Sequence, residues 1–178
     1  MGRWALPARM PGRLLVFCGI PGSGKTTIAR MVAKSDPLSV LVQTDAIRSM
    51  IPVPTFSAEE SEMVYRSCVE VAKLWLDRGR LVILDGTFGS SRRREMTLSE
   101  LSGHCAGVDI VYVVCDLQTA LRRNSTRYAR VPPERLEGIY GAFEVPDNAL
   151  RINTSEAAPE AAAEMVVRSL LYPLVPPE

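Results

Sequence analysis

The chain has 178 residues with a formal net charge of +1, 47% hydrophobic residues and only 6% aromatics. That length suits one domain able to bury a sizeable core, and near-neutral charge removes any whole-molecule attraction to nucleic acid or membrane. No apolar stretch approaches the length of a membrane span, so a partner has to be argued from local patches.

Residues 1–13 carry arginines and prolines without the apolar middle of a signal peptide, and are expected to be a flexible leader. Leu14 to Cys18 is an apolar, strand-like run. Directly after it stands Gly19-Ile20-Pro21-Gly22-Ser23-Gly24-Lys25-Thr26, which fits the spacing G-x-x-x-x-G-K-[ST]. Its glycines let backbone N–H groups face phosphates, Lys25 reaches the β/γ-phosphates, and the Thr26 hydroxyl ligates Mg²⁺. Thr27 to Ala33 continues at helical spacing, so a helix N-terminus adds its dipole to the anion site. The chain therefore binds a nucleoside triphosphate.

Val40 to Gln43 reads as a second strand, followed by a short helix from Asp45. A long helix is expected over Ala58 to Asp77, where Val64, Cys68, Val71 and Trp75 mark one buried face. Leu81 to Leu84 is a third strand ending in Asp85, with Gly86-Thr87 and then a helix from about Ser91. Val108 to Cys115 carries the longest strand signal. Leu117 to Arg127 is helical, Val131-Pro132-Pro133 interrupts it, and Glu134 to Phe143 resumes. Ala149 to Ile152 is a weak strand, and an alanine-rich helix over Glu156 to Leu171 completes a single domain of residues 14–172, with 173–178 as a tail. Apolar strands alternating with helices give a parallel α/β sheet covered on both faces, whose ligands bind beyond the carboxyl ends of the strands.

Chemistry-bearing residues follow those strand ends. Asp45 and Arg48 share a helix face, so a carboxylate can take a proton from an attacking hydroxyl while a guanidinium grips the acceptor. Asp85 closes a Walker B-like strand, where it either holds Mg²⁺ or orients Arg48. Among Arg92, Arg93 and Arg94, at a helix start that repels cations, Arg94 is the candidate acceptor ligand. Arg122, Arg123, Arg127 and Arg130 put four arginines into nine residues, the composition of a lid over about 117–145. Arg127 and then Arg123 are the candidates for contact with the transferred group, and Arg130 for the acceptor. Cys18, Cys68, Cys105 and Cys115 show no C-x-x-C spacing and read as reduced thiols of a cytoplasmic protein, and His104 as a surface residue without clustered metal ligands.

These motifs together resemble the kinase branch of P-loop proteins that contains phage-type polynucleotide 5′-hydroxyl kinase and archaeal L-seryl-tRNA(Sec) kinase. The shared features are the loop Gly19 to Thr26, D-x-x-R at Asp45 to Arg48, D-x-T at Asp85 to Thr87, and R-N-x-x-R at Arg123 to Arg127 followed by Val131-Pro132, while Phe143 to Pro146 resembles the F-[DE]-x-P stretch of the seryl-tRNA kinases. The resemblance implies a P-loop NTPase fold with five parallel strands in the order 2-3-1-4-5. It also implies ATP with Mg²⁺, held by Gly19, Pro21, Gly22, Ser23, Gly24, Lys25, Thr26 and Thr27. Asp45 would be the general base, Arg48 and Thr87 acceptor ligands, and Arg127 the lid arginine. Phe88 departs from the family's asparagine. The expected acceptor is a hydroxyl of RNA, DNA or a tRNA-linked group, with a small molecule as the alternative and an ATP-hydrolysing switch as a third reading. A nucleic-acid acceptor predicts a basic groove beside Arg48, Arg92 to Arg94 and the lid.

Overall fold

The structure is a computed structural model that describes residues 11–126 and 131–172. Five strands form one all-parallel sheet in the order β2-β3-β1-β4-β5, as the resemblance implies. The strands are β1 (Gly12–Cys18), β2 (Val40–Gln43), β3 (Leu81–Asp85), β4 (Cys105–Val114) and β5 (Leu150–Asn153). Strand β1 begins inside the segment expected to be a leader, because Gly12 pairs beside Cys105 and approaches Arg80 so closely that a Cβ would lie 2.0 Å from its carbonyl oxygen.

The helices are α1 (Lys25–Ser35), α2 (Thr44–Arg48), α3 (Ala58–Leu76), α4 (Ser91–Leu101), α5 (Leu117–Ser125), α6 (Pro133–Gly141) and α7 (Pro159–Val166), the last continued by a π-helical turn over Val167–Leu171. Pro159 sets the start of α7 three residues later than periodicity suggests, since a proline at the first turn forfeits no intrahelical hydrogen bond. Leu15, Phe17, Ile83 and Val113 pack against α1 and α7 on one face of the sheet. Leu14, Val16, Val82 and Leu84 pack against α3 and α4 on the other. Central strands buried on both faces account for their unbroken apolar runs.

On α3 the buried face is Val64, Cys68, Val69, Ala72 and Leu76, whereas Trp75 is 39% exposed. The sequence stripe through Val71 and Trp75 marked one edge of that face. At about 100° per residue the stripe 64, 68, 71 and 75 centres roughly 65° away from the middle of the face formed by 64, 68, 69, 72 and 76, so the contact is rotated toward 69, 72 and 76.

Parallel pairing brings the carboxyl ends of the central strands level. Phe17 of β1 and Gln43 of β2 both stand opposite Asp85 of β3. All four cysteines are free thiols, and burial pushes Cys18 up to about 11 and Cys68 up to about 12. Half-buried His104 donates from Nδ1 to the Asp77 carboxylate, 2.7 Å away. Among the described residues there is no helix long and apolar enough to cross a membrane and no group of three or more His, Cys, Asp or Glu side chains gathered around a metal site.

Candidate active site

The phosphate loop leaves β1 through three glycines at positive φ: Gly19 (151°), Gly22 (84°) and Gly24 (91°). Gly24 is the N-cap of α1, so the first N–H groups of that helix open toward the loop. A Cβ on Gly22 would lie 2.5 Å from the carbonyl oxygen of Ala120, so α5 supports the loop from behind. The Gly19 N–H donates to the Thr87 carbonyl at 3.1 Å, joining the loop to the D-G-T turn. Lys25 Nζ rests 3.4 Å from the Ile20 carbonyl oxygen, across the loop.

Asp85 is only 4% exposed. Its Oδ2 accepts from Thr26 Oγ1 at 2.7 Å and from Gln43 Nε2 at 2.8 Å, while its Oδ1 is buried without a hydrogen-bond partner. A buried carboxylate oxygen with no donor is costly unless something else neutralises it. A hydroxyl and a carboxylate side by side beneath the loop are hard oxygen donors of the kind that suit Mg²⁺. The alternative role for Asp85, orienting Arg48, is not how Arg48 is held: its guanidinium pairs with Glu60 Oε1 and donates to Ser61 Oγ at 3.3 Å.

Glu60 was not among the sequence candidates, although Ser57-x-x-Glu60 is a capping-box signature. Ser57 Oγ accepts from the Glu60 N–H as that motif requires. The Glu60 side chain reaches back to the preceding loop, where Oε2 accepts from the N–H groups of Thr55 and Phe56 and from Thr55 Oγ1. Burial opposes its ionisation, but the donors from Thr55, Phe56 and Arg48 outweigh that and hold its carboxyl below the usual range. The clamp keeps Phe56 at φ 55°, with the Arg48 guanidinium 4.8 Å and the Arg135 guanidinium 5.1 Å from its ring centre.

Two cavities meet at α2. One, of about 220 Å³, is lined by Lys25, Thr26, Asp45, Arg48, Phe56, Asp85, Thr87 and apolar Ile51, Pro54 and Val131. The other, of about 610 Å³, is lined by Gly22, Gly24, Lys25, Thr27, Gln43, Asp45 and Arg123. Asp45, Lys25 and Thr26 belong to both.

Of the remaining arginines, Arg94 departs from expectation. Arg94 is 5% exposed and donates to the Phe88 carbonyl at 2.8 Å and to Ser91 Oγ at 3.0 Å, so its expected role as acceptor ligand is replaced by support of the D-G-T-F turn. Arg93 pairs with Glu62 and lies over Tyr65. Phe88 is buried at φ 43°, its N–H held by Tyr65 Oη, and fills the core instead of facing the cavity. Arg123 donates to Thr154 Oγ1 at 2.8 Å and to the Thr154 carbonyl at 2.9 Å, with the Gly22 carbonyl at 3.5 Å. Arg127 and Arg130 lie outside the described residues. Glu144, in the F-[DE]-x-P stretch, accepts from the Ser91 N–H at 2.6 Å and so caps α4.

Residues 14–146 match the AAA domain family AAA_33. The chain is 28% identical over 139 residues to L-seryl-tRNA(Sec) kinase of Methanococcus maripaludis, covering 75% of this chain but about half (53%) of that protein. It is 29% identical to shikimate kinase of Thermobifida fusca, over 88% of this chain and 94% of that one. The structure of APS kinase CysC of Mycobacterium tuberculosis, in complex with AMPPNP and APS, superposes with a TM-score of 0.75 at 23% identity, covering 91% of this chain and 99% of that one. With its phosphate loop, its strand order and these relatives, the chain belongs to the AAA domain family AAA_33 and is an ATP-dependent phosphotransferase of the P-loop kinase type.

Proposed function

We propose that the enzyme transfers the γ-phosphate of ATP to a hydroxyl of a small molecule seated between α2 and the loop ending at Phe56. The observation that carries this reading is that Asp45 borders both the phosphate-loop cavity and the smaller, largely apolar one. A carboxylate at that junction is placed to take the acceptor's proton as the new O–P bond forms and the bond to the departing ADP oxygen breaks. Lys25 and the loop N–H groups neutralise phosphate charge, and Arg48, fixed by Glu60, offers its remaining N–H donors to the acceptor. Thr26 and Asp85 would hold Mg²⁺, which when bound supplies charge neutralisation at the phosphate oxygens. Arg127 and Arg130 keep their proposed roles at the transferred group and the acceptor.

A small acceptor is favoured because Arg48 and Arg93 are paired with Glu60 and Glu62 and Arg94 is buried. The basic groove expected for a nucleic acid is therefore not built by these residues. The likeness to L-seryl-tRNA(Sec) kinase supports a second reading, a hydroxyl carried on tRNA.

Labelled γ-phosphate transfer, screened against metabolite hydroxyls, 5′-hydroxyl oligonucleotides and charged tRNA, tests both. Transfer to a metabolite alone supports the first, transfer to RNA overturns it, and hydrolysis without any phosphorylated product overturns both in favour of a switch. Asp45→Asn is expected to reduce transfer by at least ~10²-fold with ATP affinity nearly unchanged. Full transfer by this variant removes Asp45 as the base.

A further inference from the structure

Gln43 is the last residue of β2 and stands opposite Asp85 in the parallel register, so its side chain reaches the same strand end that carries the carboxylate. Its Nε2 donates to Asp85 Oδ2 at 2.8 Å, the oxygen that also accepts from Thr26 Oγ1 at 2.7 Å. Its Oε1 accepts from Arg30 at 3.4 Å, which assigns the amide orientation, since the flipped amide would turn its NH₂ toward a guanidinium and its oxygen toward a carboxylate. Two donors thus occupy one carboxylate oxygen. The other, Oδ1, is buried with no donor at all.

A carboxylate free to rotate would share its donors between both oxygens. Here the pair of donors on Oδ2 pins the plane of the group and leaves Oδ1 as the oxygen without a donor. We propose that Gln43 is a positioning residue for the divalent cation of the nucleotide complex: it locks the Asp85 carboxylate so that Oδ1 stays available for the cation, directly or through one of the cation's waters. The amide suits this task because it donates without adding charge, whereas a second carboxylate would repel Asp85 and a lysine would compete with the cation. Arg30 acts one step further out, by holding the amide.

This inference rests on the nucleotide-binding reading of the loop, and its test separates the two. Mn²⁺ binding to the full chain with ADP is followed by the electron paramagnetic resonance of free Mn²⁺, and ADP binding in EDTA by calorimetry. Gln43→Leu is expected to weaken Mn²⁺ binding about tenfold, the usual scale for losing an outer hydrogen bond to a metal ligand, with metal-free ADP affinity within about twofold of the parent. Arg30→Ala, at an exposed position, is expected to weaken Mn²⁺ binding by about two- to fourfold through the same amide. Unchanged Mn²⁺ affinity in Gln43→Leu, or an equal loss of metal-free ADP binding, overturns the proposal. Should Gln43→Leu fail to fold, unchanged Mn²⁺ affinity in Arg30→Ala overturns it. A parent protein that binds neither ADP nor Mn²⁺ sinks the nucleotide reading, and this inference with it.

Discussion

Arg48 shows what a single residue gains from its surroundings. The D-x-x-R spacing put it beside Asp45, but a guanidinium on a five-residue helix has many rotamers, and Glu60 selects among them. The same carboxylate holds the N–H groups of Thr55 and Phe56, so one side chain shapes two walls of the smaller cavity. With the acceptor found by the transfer screen, Glu60→Ala is expected to raise its KM by roughly tenfold, the scale of a lost charge-assisted hydrogen bond, while the KM for ATP stays constant. Equal loss toward both substrates would mean that Glu60 only maintains the fold. Phe88 is the complementary case: the residue type breaks the family pattern, and burial at 1% exposure shows it filling the space between Tyr65 and the sheet.

At the scale of elements, most boundaries were readable because helix starts here are chemical. Ser57, Ser90 and Asp116 each accept from an N–H three residues on. Asp116 does more, since its second oxygen accepts from Ser155 Oγ at 2.8 Å and so ties the start of α5 to the end of β5. The Thr119 N–H, then the Ser155 hydroxyl, lower its carboxyl from 3.8 to about 2. A carboxyl depressed in the folded state stabilises the fold above its unfolded pKa and loses that contribution as pH falls through the folded one. Asp116→Ala should therefore melt below the parent at pH 7, and the gap should close between about pH 4 and pH 2. Melting curves across that range check it, and a gap independent of pH would contradict the cap's charge as its source. Less readable was the face of α3, because a four-three-four stripe marks a helix edge as well as a helix centre.

Across the whole molecule, the site is assembled by contacts between distant segments. Thr154 Oγ1 donates to the Ser23 carbonyl at 2.8 Å and accepts from Arg123 at the same distance, so the end of β5, the phosphate loop and α5 are fastened at one hydroxyl. Thr154→Val keeps the shape and removes that fastening, at an expected cost of about 1–3 kcal/mol for the polar groups left unpaired. Nucleotide titration and thermal melts should both register it; a variant indistinguishable from the parent would show that the loop is held by its glycines alone. The sequence by itself determined the sheet, the phosphate loop and the acidic strand ends, because periodicity, glycine spacing and capping act over neighbouring residues. Only the tertiary structure decided which polar side chains serve the site. The partners of Arg48, Arg123 and Gln43 come from segments distant along the chain, and charge or spacing along the chain carries no record of which cation is left facing a cavity and which is neutralised within the fold.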